Sequence, residues 1–198
     1  WRAFQRHARA RGVRFVQAEA AGFETAGDRV TAVLGTRGER WPCDAGMVLA
    51  AGAWSAPLAA RLGLTLPVTP KKRDVFVLDT PATLPACPLV ITPEGVWFRP
   101  EGRGFIAGAP PRGGQDPDEP PLEAIDHGLF DEVIWPALAR AVPAFEALRV
   151  RSAWAGYYEM NAHDHNGLAG PLPGWRNAWT ACGFSGHGMQ QAPAVGAA

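Results

Sequence analysis

The chain has 198 residues, 47% of them hydrophobic, and its 19 Lys+Arg are balanced by 19 Asp+Glu. That length allows one large domain or two small ones. The neutral balance gives no electrostatic ground for a nucleic acid or an anionic membrane as partner, and no apolar run approaches the ~20 residues of a membrane-spanning helix.

No signal-peptide pattern opens the chain. Cys43, Cys87 and Cys182 are far apart and odd in number, so they match neither a zinc spacing nor a disulfide framework. Reduced thiols in a reducing compartment are the expectation. The chain begins at Trp1, inside a helical pattern, and stops at Gly196-Ala197-Ala198 as a helix is starting. A fragment is therefore expected.

Trp1, Phe4 and Ala8 share one face of a first helix, which Gly12 caps. Val13–Val16 reads as a strand, and so does Arg29–Leu34 after the Gly27-Asp28 turn signal. Met47–Ala51 is an apolar run ending at Gly52. It has the look of a parallel-sheet strand buried on both faces. Ser55 can cap a short helix over 56–62 that ends at Gly63.

From Leu64 the texture changes. Prolines recur, and short strand candidates lie between them at 74–78, 89–91, 96–98 and 105–107, the spacing of an antiparallel sheet. Residues 110–121 form a polar Pro/Gly-rich loop. The spacing then predicts a helix over 122–141, bent or split by Pro136. Strands follow at 150–158 and 178–182. The order is α/β, then antiparallel β with a helix, then β-turn-α, which suggests one domain inserted into another.

The last strand runs into Gly183-Phe184-Ser185-Gly186-His187-Gly188. The glycines permit a sharp turn and close backbone approach. Met189-Gln190-Gln191-Ala192 can open a helix whose free N–H groups face an anion or a developing negative charge. A plain glycine turn without a ligand is one alternative. A serine-hydrolase elbow is another, but His187 stands where its last glycine belongs.

This turn resembles the C-terminal flavin motif of the D-amino-acid oxidase/sarcosine oxidase superfamily. Val48–Ser55 resembles its strand ending in Ala-Gly-x-Trp, and Arg11–Phe15 with the strand after it resembles the adenine side. The resemblance covers essentially the whole chain in order. It implies a fold combining α/β with α+β: part of a Rossmann-like FAD-binding domain (1–63 and 150–198) carrying an inserted antiparallel substrate domain (64–149). It implies FAD as cofactor and oxidation of a C–N bond of a secondary amine or amino acid. By motif position Ala20, Ala51, Gly52 and Trp54 would lie along the adenine, ribityl and flavin parts. Gly186, Gly188, Met189 and Gln190 would contact the flavin's pyrimidine edge, with Gly183, Ser185 and His187 also in the cofactor-binding turn.

The departures from the family pattern carry chemistry too. No dinucleotide-type G-x-G-x-x-G is present. Gly156 stands where sarcosine oxidases attach flavin through a cysteine, so the implied FAD is non-covalent. Sarcosine oxidases carry a lysine where Gln190 stands, and their oxygen-activating lysine would fall near Ile106, which favours an electron acceptor other than O₂ as much as an oxidase.

Tyr158 falls where relatives hold a substrate carboxylate, and Trp97 and Arg99 lie on a strand that faces substrate there. Their alternatives are a strand tyrosine with a satisfied hydroxyl and a solvated strand arginine. His187 would act through its backbone or, as a base, through its ring. His163 and His165 would share a face if they lie on a strand, but no third metal ligand follows. Lys71-Lys72-Arg73 reads as a solvated basic face.

A narrower resemblance, carried by Ser152–Tyr158, Asn166-Gly167 and Gly183–Pro193, is to a subgroup of these flavoproteins linked to respiratory-complex assembly. It implies a respiratory-complex partner and no amine turnover as the rival function. The implied settings are bacterial cytoplasm, in solution or peripheral to a membrane, and the mitochondrion of a eukaryote.

Overall fold

The computed structural model describes residues 1–197. Helix α1 (Arg2–Ala10) ends as expected: Gly12 adopts φ +87°, and the Val13 N–H returns to the Ala8 carbonyl at 3.1 Å. Its apolar face stays uncovered, with Trp1 and Phe4 exposed. Residues 13–16 form no strand. They are exposed, with no partner strand among the described residues, and Phe15 instead meets the Trp1 ring edge-on at 6.5 Å.

Strands β1 (Ala20–Ala26), β2 (Arg29–Gly35) and β3 (Arg40–Pro42) form an antiparallel sheet, with Gly27-Asp28 as the first turn. Strand β4 (Met47–Leu49) follows, then a 3-10 turn at Gly52–Trp54 and helix α2 (Ser55–Ala60). Ser55 does not cap this helix. It lies within the first turn, fully buried, and its hydroxyl has no partner among the described residues.

The middle of the chain builds a five-stranded antiparallel sheet. Its strands are β5 (Val68–Asp79), β6 (Val90–Ile91), β7 (Trp97–Glu101), β8 (Gly104–Gly108) and β9 (Arg149–Asn161), in the order β6-β7-β8-β5-β9. Strand β9 pairs with β5 along its length. The sheet therefore crosses the expected boundary at residue 149 and runs to Asn161. One face carries Phe76, Leu78, Phe98, Phe105 and Ala107 into a core with Leu129, Ile134, Leu138 and Phe145. Phe98, Phe105 and Phe145 meet edge-on with ring centroids 5.0–6.2 Å apart, the arrangement favoured by ring quadrupoles.

The covering helix starts later than its periodicity predicts. Asp126 caps it, accepting from the Leu129 N–H at 3.2 Å, and α3 (His127–Leu129) continues through a π-helical turn (Phe130–Ile134) into α4 (Trp135–Ala141). The irregular turn directly precedes Pro136, whose ring cannot donate and would crowd a regular α-helical carbonyl.

Lys71-Lys72-Arg73 is not a solvated face. The three side chains are only 14–18% exposed and tie the 110–126 loop to β5. Lys71 pairs with Asp118 at 2.6 Å, Lys72 donates to the Ala124 carbonyl, and Arg73 grips Asp116. Alternation puts Lys71 and Arg73 on one face of β5 and Lys72 on the other, and the 110–126 loop reaches all three, a pairing that local composition could not reveal.

The Arg73 fork holds the Asp116 carboxyl below its usual range, and the Arg112 fork does the same to Asp126. A depressed folded-state pKa contributes stability above the unfolded value of about 3.9, and that contribution is lost as pH falls through the lower folded value. Thermal midpoints should therefore hold steady from pH 7 to 5 and fall below about pH 4. Asp116→Asn with Asp126→Asn should flatten that fall. Melting curves across this range provide the check.

The chain then returns to its first part. Strands β10 (Leu168–Pro171) and β11 (Ala178–Cys182) are antiparallel, and β11 lies parallel to β4. The Thr180 hydroxyl donates to the Leu49 carbonyl at 3.1 Å, 131 residues earlier. Buried Asn177 accepts the Val30 N–H at 2.9 Å and donates to the Val30 carbonyl at 2.8 Å. A second core of Val30, Met47, Leu49, Ala59, Leu62, Leu172 and Ala178 fills this part. The parallel pairing of β4 is as expected, but burial on both faces is not: Val48 is 61% exposed on the edge strand. His163 and His165 lie in a turn after β9, not on a strand. Cys182 is buried, Cys43 is half-buried, and all three cysteines are unbridged.

Candidate functional site

The glycine-rich turn is built by close approach. Gly183 has φ +71° and Gly186 φ +90°. A Cβ on Gly183 would come within 3.0 Å of Val68, and one on Gly186 within 2.6 Å of the Tyr158 ring. The turn is fastened to β9: the Ser185 N–H donates to the Glu159 carbonyl at 3.1 Å, and Phe184 bridges to Met160.

Ser185 itself adopts φ +51°, but its hydroxyl is buried. It accepts the Asn161 N–H at 3.0 Å and faces the Gly183 carbonyl at 3.2 Å. A hydroxyl enclosed in this way cannot serve as the exposed nucleophile of a hydrolase elbow.

Helix α5 (Gly188–Val195) starts immediately after the turn. The backbone of His187 is used internally: its N–H donates to Phe184 at 2.8 Å, and its carbonyl accepts from Gln191 at 3.2 Å. His187 therefore has no free backbone N–H for the contact expected of it. Among the described residues the N–H groups of Gly188, Met189 and Gln190 have no backbone acceptor. They point out of the helix start, where a negative partner is favoured.

This turn shares a cleft of about 450 Å³ with the expected substrate-side residues. Ser185, Gly186, His187, Met189 and Gln190 line one side, and Trp97, Arg99 and Tyr158 the other. Cross-strand register puts Trp97, Arg99, Ile106 and Tyr158 on the same sheet face, opposite the aromatic core. The Trp97 ring lies against Gly108, where a Cβ would come within 2.8 Å of it. Arg99 is not free, because its guanidinium is engaged by Glu101 and by the Pro100 carbonyl.

The upstream residues meet elsewhere. Ala20, Ala51 and Trp54 line a second cleft of about 650 Å³ with Thr36, Pro57, Leu58 and Arg61. Strand β9 links the two clefts. The Trp54 ring meets Tyr157 edge-on at 6.1 Å, and Gly52, at φ +56°, lies against Glu159.

Glu159 was missed in the sequence. Its Oε2 is buried, has no partner among the described residues, and would lie 3.8 Å from a Cβ on Gly52. Such orphans are rare in folded proteins and ask for a donor. The Ser55 hydroxyl is a second orphan, one residue beyond the same turn. The signal available was a single acid in the aromatic run Trp154–Met160.

These features fit a flavin dinucleotide. There are unpaired N–H groups suited to an electron-rich edge, and an orphaned carboxylate and hydroxyl suited to a hydroxyl-bearing chain. Exposed Trp54 and Met189 offer apolar surface for a ring system.

Comparison with known proteins agrees. The family model described as DAO, FAD dependent oxidoreductase, matches residues 1–198. A Bos taurus protein called FAD-dependent oxidoreductase domain-containing protein 1 is 47% identical over 167 residues, covering 77% of this chain and 34% of its own length. Its Xenopus laevis namesake is 45% identical over 166 residues, covering 77% and 33%. The crystal structure of L-proline dehydrogenase from P. horikoshii superposes with a TM-score of 0.86 at 25% identity, over 98% of this chain and 51% of that one. The chain thus spans about a third of these curated relatives and half of that solved structure. It belongs to the DAO family of FAD-dependent oxidoreductases.

Proposed function

We propose that the full protein oxidises the C–N bond of a small secondary amine or amino acid, with FAD held non-covalently. The observation that carries this reading is the cleft in which the 185–190 turn faces Trp97, Arg99 and Tyr158. Cofactor-side and substrate-side residues, 86 or more positions apart for Trp97 and Arg99, converge there.

Bound FAD would supply the hydride acceptor. The chain's own residues would position and shield. The free N–H groups of Gly188, Met189 and Gln190 would hold the flavin's electron-rich edge. Glu159 and Ser55 would receive hydroxyl groups at the Gly52 turn. Ala20, Ala51 and Trp54 would line the approach through the second cleft. Trp97 and Tyr158 would wall the substrate against water. In this reading residues 1–63 and the segment from β10 onward hold the cofactor, and the five-stranded sheet presents the substrate.

Ile106 lies on the same sheet face as Trp97, Arg99 and Tyr158 and is 7% exposed. An apolar side chain there offers no charge to assist O₂ reduction, which favours transfer to another acceptor.

The test is anaerobic photometry of the purified full-length protein. Sarcosine, glycine or proline should bleach the flavin bands, and re-oxidation by an artificial acceptor should outpace re-oxidation by air. Stable colour with every amine would overturn the reading and favour a flavoprotein that serves respiratory-complex assembly without turnover. A colourless protein would overturn the flavin assignment as well.

A further inference from the structure

A separate cavity of about 240 Å³ lies between β5 and the loop that follows β8. Strand β8 pairs with β5 only as far as Val75, opposite Gly108. Beyond that point the 110–126 loop runs along the vacated edge, tied there by the Lys71–Asp118 bridge. Lys72 and Asp74 line the cavity from β5, on the sheet face opposite the one that carries Trp97, Ile106 and Tyr158. It shares no lining residue with the two clefts described above.

The Asp74 side chain is 4% exposed. Its Oδ2 accepts the Asp126 N–H at 2.9 Å. Its Oδ1 is buried and has no hydrogen-bond donor among the described residues. The Lys72 ammonium lies 3.5 Å from Oδ1 but donates to the Ala124 carbonyl. The other acids of the wall are matched more closely. The Arg112 fork reaches Asp126 at 2.8 and 2.9 Å, and Arg73 reaches Asp116 through two bonds of 2.8 Å. With Glu132, which Arg112 also holds, three cations (Lys72, Arg73, Arg112) face four acids (Asp74, Asp116, Asp126, Glu132). Ala109, Pro111, Pro117, Pro120 and Leu129 supply apolar wall.

We propose that this cavity binds a small primary amine, its ammonium on Asp74 Oδ1 and its short alkyl body against the proline and Leu129 wall. An ammonium brings what the buried oxygen lacks, a donor, and what the wall lacks, a positive charge. A carboxylate or phosphate would meet the same oxygen with repulsion. Water would supply the donor and leave the charge and the apolar wall unanswered. The site is distinct from the substrate cleft, and the inference does not rest on the flavin reading.

Calorimetric titration of the full-length, flavin-loaded protein with tert-butylammonium tests this. Its amine carbon bears no hydrogen, so it cannot be oxidised in the cleft. It should bind about tenfold more tightly than tert-butanol, which has the same shape without the charge. Asp74→Asn keeps an acceptor for the Asp126 N–H and turns an amide donor toward the cavity, so tert-butylammonium affinity should fall at least tenfold. Unchanged affinity in Asp74→Asn would place the amine elsewhere, the substrate cleft included, and overturn the proposal. Equal binding of tert-butanol, or no binding of the amine to the native protein, overturns it too.

Should Asp74→Asn fail to fold, a crystal of the native protein grown with tert-butylammonium decides. The amine within hydrogen-bond distance of Oδ1 supports the site, and Oδ1 met by water alone overturns it. A yellow protein with no dependence on Asp74 sinks this inference alone. A colourless protein that shows the dependence sinks the flavin reading alone.

Discussion

Gly186→Val should abolish flavin binding and destabilise the fold by about 2–5 kcal/mol, the sum of left-handed backbone strain and overpacking. Gly186 sits at φ +90°, where a branched side chain is an outlier. Its Cβ would meet Tyr158 carbons at 2.6, 3.1 and 3.2 Å. The ring cannot simply retreat, because Arg73 lies over it and is itself held by Asp116. Relief must come from moving the turn, which displaces the N–H groups of Gly188, Met189 and Gln190.

Gly188→Ala is the matched control. Its backbone is helical, and its Cβ would make an ordinary 3.4 Å contact with Phe184. Stability there should change by less than about 0.5 kcal/mol, with colour retained. Denaturant midpoints and the flavin-to-protein absorbance ratio check both variants. A yellow Gly186→Val protein of native stability would refute the packing account.

That contrast shows what the sequence could and could not reveal. Gly183, Gly186 and Gly188 look alike as letters, yet only the first two need a positive φ and the space of a missing side chain. Strands β4 and β11 were legible because each is a short apolar run closed by glycine; their parallel pairing with each other came only with the fold. Strand β1 was not: Ala-Ala-Gly-Phe-Glu-Thr-Ala has little β preference, and pairing with β2 decides it. Residues 13–16 failed in the opposite direction, being strand-like in composition but without a neighbour to pair with among the described residues.

The candidate site followed the same logic. Trp97, Tyr158 and the 185–190 turn came from motif position, and the fold joins them in one cleft. Glu159 escaped because its meaning depends on an empty hydrogen-bonding position that only the fold creates.

Glu159→Leu should move two measurements in opposite directions. In the flavin-free protein Oε2 is buried without a donor, so replacing the carboxylate by an apolar side chain of similar reach removes an uncompensated desolvation. Stability of the apo form should rise by about 1–3 kcal/mol. In the loaded protein the same carboxylate would accept a hydrogen bond at the Gly52 turn. Losing a bond to a charged group is worth about 1.5–3 kcal/mol, so FAD affinity should fall roughly ten- to a hundredfold. Glu159→Gln should lie between, since its carbonyl oxygen can still accept. A purely structural Glu159 would shift both quantities the same way, and so would a damaged fold. Apo melting and flavin fluorescence titration on the three proteins separate these cases. A rise in apo stability without any loss of FAD affinity would show that the orphaned oxygen answers to something other than the cofactor.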